Sequence, residues 1–422
     1  MRFLRIGICS LVAFAILAHG AVEDWARAIL EIGAGVLFLV WAIYAYFRQE
    51  QQIVIPSVLP PLLGFLLLVL AQWLFHRTAS SYATRMELLL LLADILLLFV
   101  AAQAFRTRGN WRGFIWFVMS FGFFVALLGI LQHLTFNGKL YWFREMRFGG
   151  IPFGPYVNRN HFAGFAELVI PVSLVPLALG KVRRERWFLV SLFAVVPIGA
   201  LFFSASRGGI VSFAVEVGVL LLWLVLRRTT GKHLLSAGIV FLLAFLMVSW
   251  LGVHQAIERF SAMQSLEVTQ GKRTSMAADT WHIFLDHPVL GTGLGTLQIV
   301  FPPHETNYDG KIVNHSHNDY LEALAETGTL GGLCCSWFLG VLLFGSIRNI
   351  SKANNTFAAT LQLSALVACL GFLTHSFVDF NLHIPGNALV FLLMANLAIN
   401  QMDNQSPQIP EMERARNSLR KH

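Results

Sequence analysis

The sequence predicts an all-α, polytopic membrane protein with about twelve transmembrane helices and an outer loop carrying short amphipathic helices. Three observations predict it. Of 422 residues, 56% are apolar and 13% charged, with a mean hydropathy of +0.63, whereas a soluble domain has roughly a quarter of its residues charged. Twelve runs are mostly apolar over about 20 residues, the length a helix needs to cross a bilayer. Lys and Arg gather in alternate loops between these runs, as the positive-inside rule expects. The same composition excludes a water-soluble enzyme and a disordered chain, and long apolar runs exclude an outer-membrane barrel, whose strands alternate.

In chain order the runs cover 4–22, 27–47, 55–75, 87–105, 113–134, 161–180, 187–204, 209–226, 234–252, 320–346, 358–378 and 384–400. The first starts MRFLR, as a signal peptide could, but His19 stands where cleavage needs a small residue, so it reads as a helix. Gly328, Gly331 and Gly332 interrupt the tenth, whose first part reads as a partly embedded helix. With the N-terminus in the cytoplasm, the inner segments hold 19 of the 31 Lys and Arg and the outer ones 12. Twelve crossings return the basic tail ERARNSLRKH to the cytoplasm. The chain then divides into N-terminal helices (1–134), central helices with outer-face motifs (135–252), a long outer loop (253–317), C-terminal helices (318–402) and a basic tail (403–422).

The net charge of +8 does not point to nucleic acid, because the basic residues sit in short loops that orient helices. Cys9, Cys334, Cys335 and Cys369 lie inside apolar runs, with neither metal spacing nor a disulfide pattern.

Chemistry concentrates in three outer segments. SASRGG puts Arg207 between two helices at the membrane surface, beside glycines that allow close backbone approach. It is suited either to a diphosphate or to snorkelling toward headgroups. In the long loop, residues 275–287 read as an amphipathic helix capped by Ser275, with Met276, Trp281, Phe284 and Leu285 on its apolar side and Pro288 ending it. Lys272 and Arg273 precede its N-terminus, where anions or lipid phosphates would be attracted. The densest cluster is NHSHNDYLEALAETG. A helix from about Asn314 would align His315, Asp319, Glu322 and Glu326. A histidine there could take a proton from a hydroxyl, or merely help cap the helix. Metal binding by His315, His317 and Asp319 is not expected, since His304 and Asp379 are the only loose further ligands. Asn158, Arg159, Asn160 and His161 mark the mouth of the sixth run, with Glu167 two turns further in. Asp379 and His383 mark the last two runs, while Glu216 and Asp94 read as inter-helix partners.

Together, SASRGG, RTSMAADTWHIFLDHPVLGTGLG and HSHNDYLEALAETGTLGGL, with VNRNHFAGFAE upstream, resemble the O-antigen ligase and polymerase superfamily over roughly residues 150–345. The resemblance implies an inner-membrane glycosyltransferase of the GT-C type with its active site facing the periplasm. It implies a glycan donor on undecaprenyl diphosphate and an inverting reaction without metal or other cofactor. The acceptor would be lipid A–core in a ligase, or a lipid-linked glycan in a polymerase. By motif, Arg207 and Arg273 match the arginines that bind the diphosphate and His317 matches the catalytic histidine, with His315 beside it. Asn158, Arg159, Asn160, Lys272, Asp319 and Glu322 are expected to line the substrate. A transporter would instead show repeated halves and helices broken at mid-membrane, and neither is evident.

Overall fold

A computed structural model describes residues 1–49, 52–146, 152–227, 270–353 and 356–400, with Gly238, Ile239, Leu242 and Leu246. Apart from those four positions, the expected span 234–252, the first part of the long loop and the basic tail lie outside the described residues. The described chain forms α1 (Arg2–Leu17), α2 (Asp24–Arg48), α3 (Leu59–Leu74), α4 (Ser81–Ala104), α5 (Arg108–Leu134), α6 (Arg159–Ala178), α7 (Arg184–Ser204), α8 (Arg207–Leu226), α9 (Gln270–Asp286), α10 (Leu297–Val300), α11 (Asp319–Lys352), α12 (Thr356–His375) and α13 (Pro385–Ile399). Among the described residues no β-strand forms, only two isolated bridges. Eleven of the twelve apolar runs fall on described helices. Eight helices have the length and composition of a full span, and α3 and α13 are shorter apolar helices.

Local sequence sets the helix starts. Ser80, Thr107, Asn158, Ser206 and Asn318 each accept a backbone N–H of the following first turn through the side chain, satisfying donors that a helix leaves orphaned. The helix α6 is apolar and buried almost all round, as a helix enclosed by others must be. It packs on α5, α7, α8, α12 and α13, and these partners let it keep Pro171 and Pro176 inside the span.

One end of the bundle is sewn together by loops. His19 Nδ1 lies 2.8 Å from Pro155 O. Gln72 Nε2 donates to Leu290 O at 2.6 Å and Glu326 O at 2.9 Å, and Thr84 Oγ1 donates to Leu294 O at 2.9 Å. The carboxylate of Glu326 accepts the N–H groups of Gly295 and Leu297, each at 2.8 Å. The GTGLG loop is thus fastened onto α11 just before its kink at Gly328, whose φ of 64° and ψ of −167° suit only glycine.

Two helix starts differ from the sequence reading. The loop helix α9 is already helical at Gln270, so Lys272, Arg273 and Ser275 lie within it, and Ser275 Oγ donates to Gly271 O at 3.1 Å. A serine hydroxyl can bond back to the preceding turn as readily as cap. The buried stripe of α9 is Met276, Thr280 and Ile283, while Trp281 and Leu285 are 42% and 55% exposed. The helix α11 begins at Asp319, not near Asn314, because Asn318 caps it by accepting from Tyr320 N and Leu321 N. His315 and His317 therefore precede the helix.

Candidate functional site

The loop-covered end of the bundle gathers five histidines, three of them against Phe380. The rings of His315, His317 and His161 lie 4.4, 4.9 and 4.9 Å from the Phe380 ring, the first stacked and the others edge-on. His383 lies 4.7 Å from the His315 ring. His375, one turn before Val378 on the same strand of sequence, completes the set from α12. The sequence reading named neither Phe380 nor His375 as part of a site, and only folding shows that the HSFVDFNLHIPG turn sits over the HSHND motif.

Four histidines face carboxylates. His315 Nδ1 lies 2.7 Å from Glu322 Oε1, and His375 Nδ1 lies 2.9 Å from Glu167 Oε1. His383 bridges two acids, with Nδ1 2.8 Å from Asp319 Oδ1 and Nε2 3.4 Å from Glu322 Oε1. His317 Nδ1 stands 3.3 Å from Asp379 Oδ1, close enough for charge attraction but not aligned as a hydrogen bond. Although a helix from Asn314 does not form, His315 still meets Glu322, because the extended segment folds back over the first turn of α11. That fold-back is held by Ser316, whose N–H and hydroxyl both donate to Glu322 Oε2, at 2.8 and 3.2 Å.

His317 differs from the other histidines of the cluster. Its φ of +55° is a left-handed conformation that costs a non-glycine residue energy and recurs at functional sites. Its Nδ1 is buried toward Asp379, which leaves Nε2 as the nitrogen open to a substrate. Burial raises the Asp379 pKa, but contact with His317 and the fields of His161 and His375 outweigh it and hold the carboxyl below its ordinary range. Asp379 thus remains a carboxylate facing His317 Nδ1. The expected helper acids for this ring, Asp319, Glu322 and Glu326, are engaged elsewhere: the first two on His383 and His315, the third on the GTGLG loop.

Of the two arginines singled out from sequence, Arg273 bonds to Val378, and Arg207 starts the helix whose next residue, Gly208, packs against His375 and Val378. Arg207 is exposed at the first position of α8. Next to it, a Cβ on Gly208 would come within 2.5 Å of His375 Nε2 and 2.9 Å of Val378 Cγ2, so only glycine lets α8 approach α12 this closely. Arg273 reaches across from α9, and its Nη1 donates to Val378 O at 3.1 Å, while its buried Nε has no hydrogen-bond partner. Lys272 points elsewhere: its Nζ donates to Glu305 and to Asn307 O and lies 3.5 Å from Asp309, closing the loop on itself. Asn158 caps α6 and Arg159 and Asn160 are buried beside it, at the same mouth as His161.

The atoms of His315, Glu322 and His383 that could ligate a metal ion lie within 4.8 Å of one another. Sequence spacing had offered no such set. The charge balance favours an ion-pair network instead. Burial lowers the His383 pKa, but Glu322 and Asp319 outweigh it and raise it well above the ordinary value, so the ring is an imidazolium between two acids. Such a raised group stabilises the fold fully below its unfolded pKa of about 6.5, and that contribution is lost as pH rises through its higher folded value. Wild-type protein should therefore lose thermal stability from neutral to alkaline pH. His383→Gln should be less stable at neutral pH and respond less to alkali. Removing one partner of a buried pair costs about 3–5 kcal/mol. Equal melting temperatures for the two proteins across this range would refute the imidazolium assignment.

Residues 189–336 match the family model described as O-antigen ligase. Over that segment the chain is similar to the O-antigen ligase family. No curated protein matches the chain. The O-antigen ligase match contains Arg207, Arg273, His315, His317, Asp319 and Glu322. The rest of the cluster, His161, Glu167, His375, Asp379, Phe380 and His383, comes from segments on either side of it.

Proposed function

We propose that this multi-pass protein is a glycosyltransferase of the O-antigen ligase type. It moves a glycan from undecaprenyl diphosphate to an acceptor such as lipid A–core at the periplasmic face of the inner membrane. The observation that carries this reading is the His317–Asp379 pair beside Val378, to which Arg273 bonds and against which Gly208, the neighbour of Arg207, packs. The acceptor hydroxyl attacks the anomeric carbon from the face opposite the diphosphate and inverts it. His317 Nε2 takes the hydroxyl proton as the new glycosidic bond forms, and Asp379 stabilises the resulting imidazolium. The bond to the lipid diphosphate breaks, and Arg207 and Arg273 neutralise the charge that develops on the leaving group. Asn158, Arg159 and Asn160 stand at the start of α6 beside His161 of the same cluster, and Asp319 and Glu322 hold the rings of His383 and His315.

The same chemistry extends a lipid-linked glycan if the acceptor is itself on the carrier, which is the polymerase reading. A strain lacking the protein separates the two: full-length glycan accumulating on the lipid carrier supports ligase, and single repeat units support polymerase. A transporter would leave neither product class altered in length or linkage.

Because the arginines neutralise the leaving group, transfer should proceed in excess EDTA. Loss of turnover on chelation, restored by one divalent ion, would make His315, Glu322 and His383 metal ligands instead.

A further inference from the structure

The end of the bundle opposite the histidines holds a second feature that the transfer reaction does not use. The helix α6 stops at Ala178, and Gly180, with φ +61°, turns the chain in the left-handed conformation that glycine adopts freely. Gly180 N donates to Leu177 O at 3.0 Å and Lys181 N to Pro176 O at 2.9 Å, so the backbone fixes where Lys181 leaves the helix. Arg183 follows as the residue preceding α7. A cavity of about 270 Å³ opens here between α5, α6, α7 and α12. Its floor is apolar, with Met119, Val172, Pro176 and Leu361, and its rim carries Arg112, Lys181, Arg183 and Arg186. The Arg186 guanidinium lies 5.6 Å over the Trp116 ring, which holds it at the rim. Among the described residues no carboxylate lines the cavity. Glu185 sits in the first turn of α7 but is not part of the lining. Among the described residues none of the four cations is paired with a carboxylate.

Cations scattered through short loops are explained by membrane orientation alone. Four that converge on one apolar cavity between spanning helices are not. We propose that this cavity binds the headgroup phosphate of an anionic diacyl phospholipid from the adjacent leaflet, with the upper acyl chain against the apolar floor. The rim supplies the charge that a net-negative headgroup needs, and a basic pocket between spans at the membrane surface is the form such recognition takes. A zwitterionic phospholipid lacks the net charge, and free phosphate lacks the apolar part.

The test uses the full chain purified in a non-ionic detergent. Phosphatidylglycerol should raise its melting temperature and saturate, while phosphatidylethanolamine and inorganic phosphate at equal concentration should not. Each Lys or Arg near an anionic lipid is worth about fivefold in binding, so Lys181→Gln with Arg183→Gln should raise the half-saturating concentration about 25-fold. An unchanged midpoint in the double variant would overturn the proposal, as would equal stabilisation by phosphatidylethanolamine. Equal stabilisation by phosphate alone would replace the lipid with a free anion. Transfer activity serves as the folding control, since these side chains are at the other end of the helices. Should the variant fail to insert, native mass spectrometry of wild-type protein from mixed vesicles decides: preferential retention of phosphatidylglycerol supports the site, and equal retention of both lipids overturns it.

Discussion

His317→Asn should lower glycan transfer by about 10²–10⁴-fold, the usual contribution of a placed proton acceptor, while binding of the lipid-linked donor persists. Asparagine is chosen because it tolerates the left-handed backbone that His317 adopts, so a loss cannot be blamed on strain. It keeps a hydrogen-bonding side chain but cannot titrate. Asp379→Asn should also lower the rate, since the ring loses the negative charge that faces its Nδ1 and would stabilise the imidazolium. The double variant should be little worse than His317→Asn alone, because residues acting as one unit are not additive. His315→Ala should be milder: its Nδ1 is already held by Glu322 and its ring is stacked on Phe380. Near-normal rates in His317→Asn, or a larger loss at His315 than at His317, would sink the base assignment.

Helices were legible in the sequence because their signals are local. Apolar runs of membrane length, caps such as Ser206 and Asn318, and the glycines of SRGG all act within a few residues. The HSHND motif was legible as chemistry because histidines and acids are costly at a membrane boundary without a role. What could not be read was pairing. His317 and Asp379 belong to separate segments, and nothing in either says which carboxylate faces which ring. Helix phase from a supposed start at Asn314 suggested Asp319, Glu322 and Glu326, but Asn318 starts the helix later and Gly295 and Leu297 take Glu326. Lys272 shows the same limit. From sequence it stands beside Arg273 as a second cation for an anion, yet successive helical residues point apart, and it turns to Glu305 and Asp309. His375 was invisible for another reason: it lies inside an apolar run, and only its buried contact with Glu167 separates it from a packing residue. A histidine late in one span and a glutamate in another, each near the same membrane face, was the one available hint.

Arg207→Ala and Arg273→Ala should each cut transfer roughly 10- to 150-fold, from the loss of about 1.5–3 kcal/mol for a hydrogen bond to a charged group. Both variants should insert at wild-type levels. Arg207 is exposed and makes no ion pair among the described residues, so its removal leaves no buried charge behind. The conservative variants should separate the two roles. Arg207 faces open space, where a lysine ammonium can still meet a phosphate as a point charge, so Arg207→Lys should recover part of the activity. Arg273 already gives Nη1 to Val378 O and must use its remaining donors on the diphosphate. That division needs a planar fork, which lysine lacks, so Arg273→Lys should recover less. Donor binding should weaken in both alanine variants, unlike in His317→Asn, because the arginines hold the group that leaves whereas the histidine acts on the group that attacks. Full activity in either alanine variant at equal protein level would remove that arginine from the mechanism, and equal rescue by lysine at both positions would reject the fork argument for Arg273.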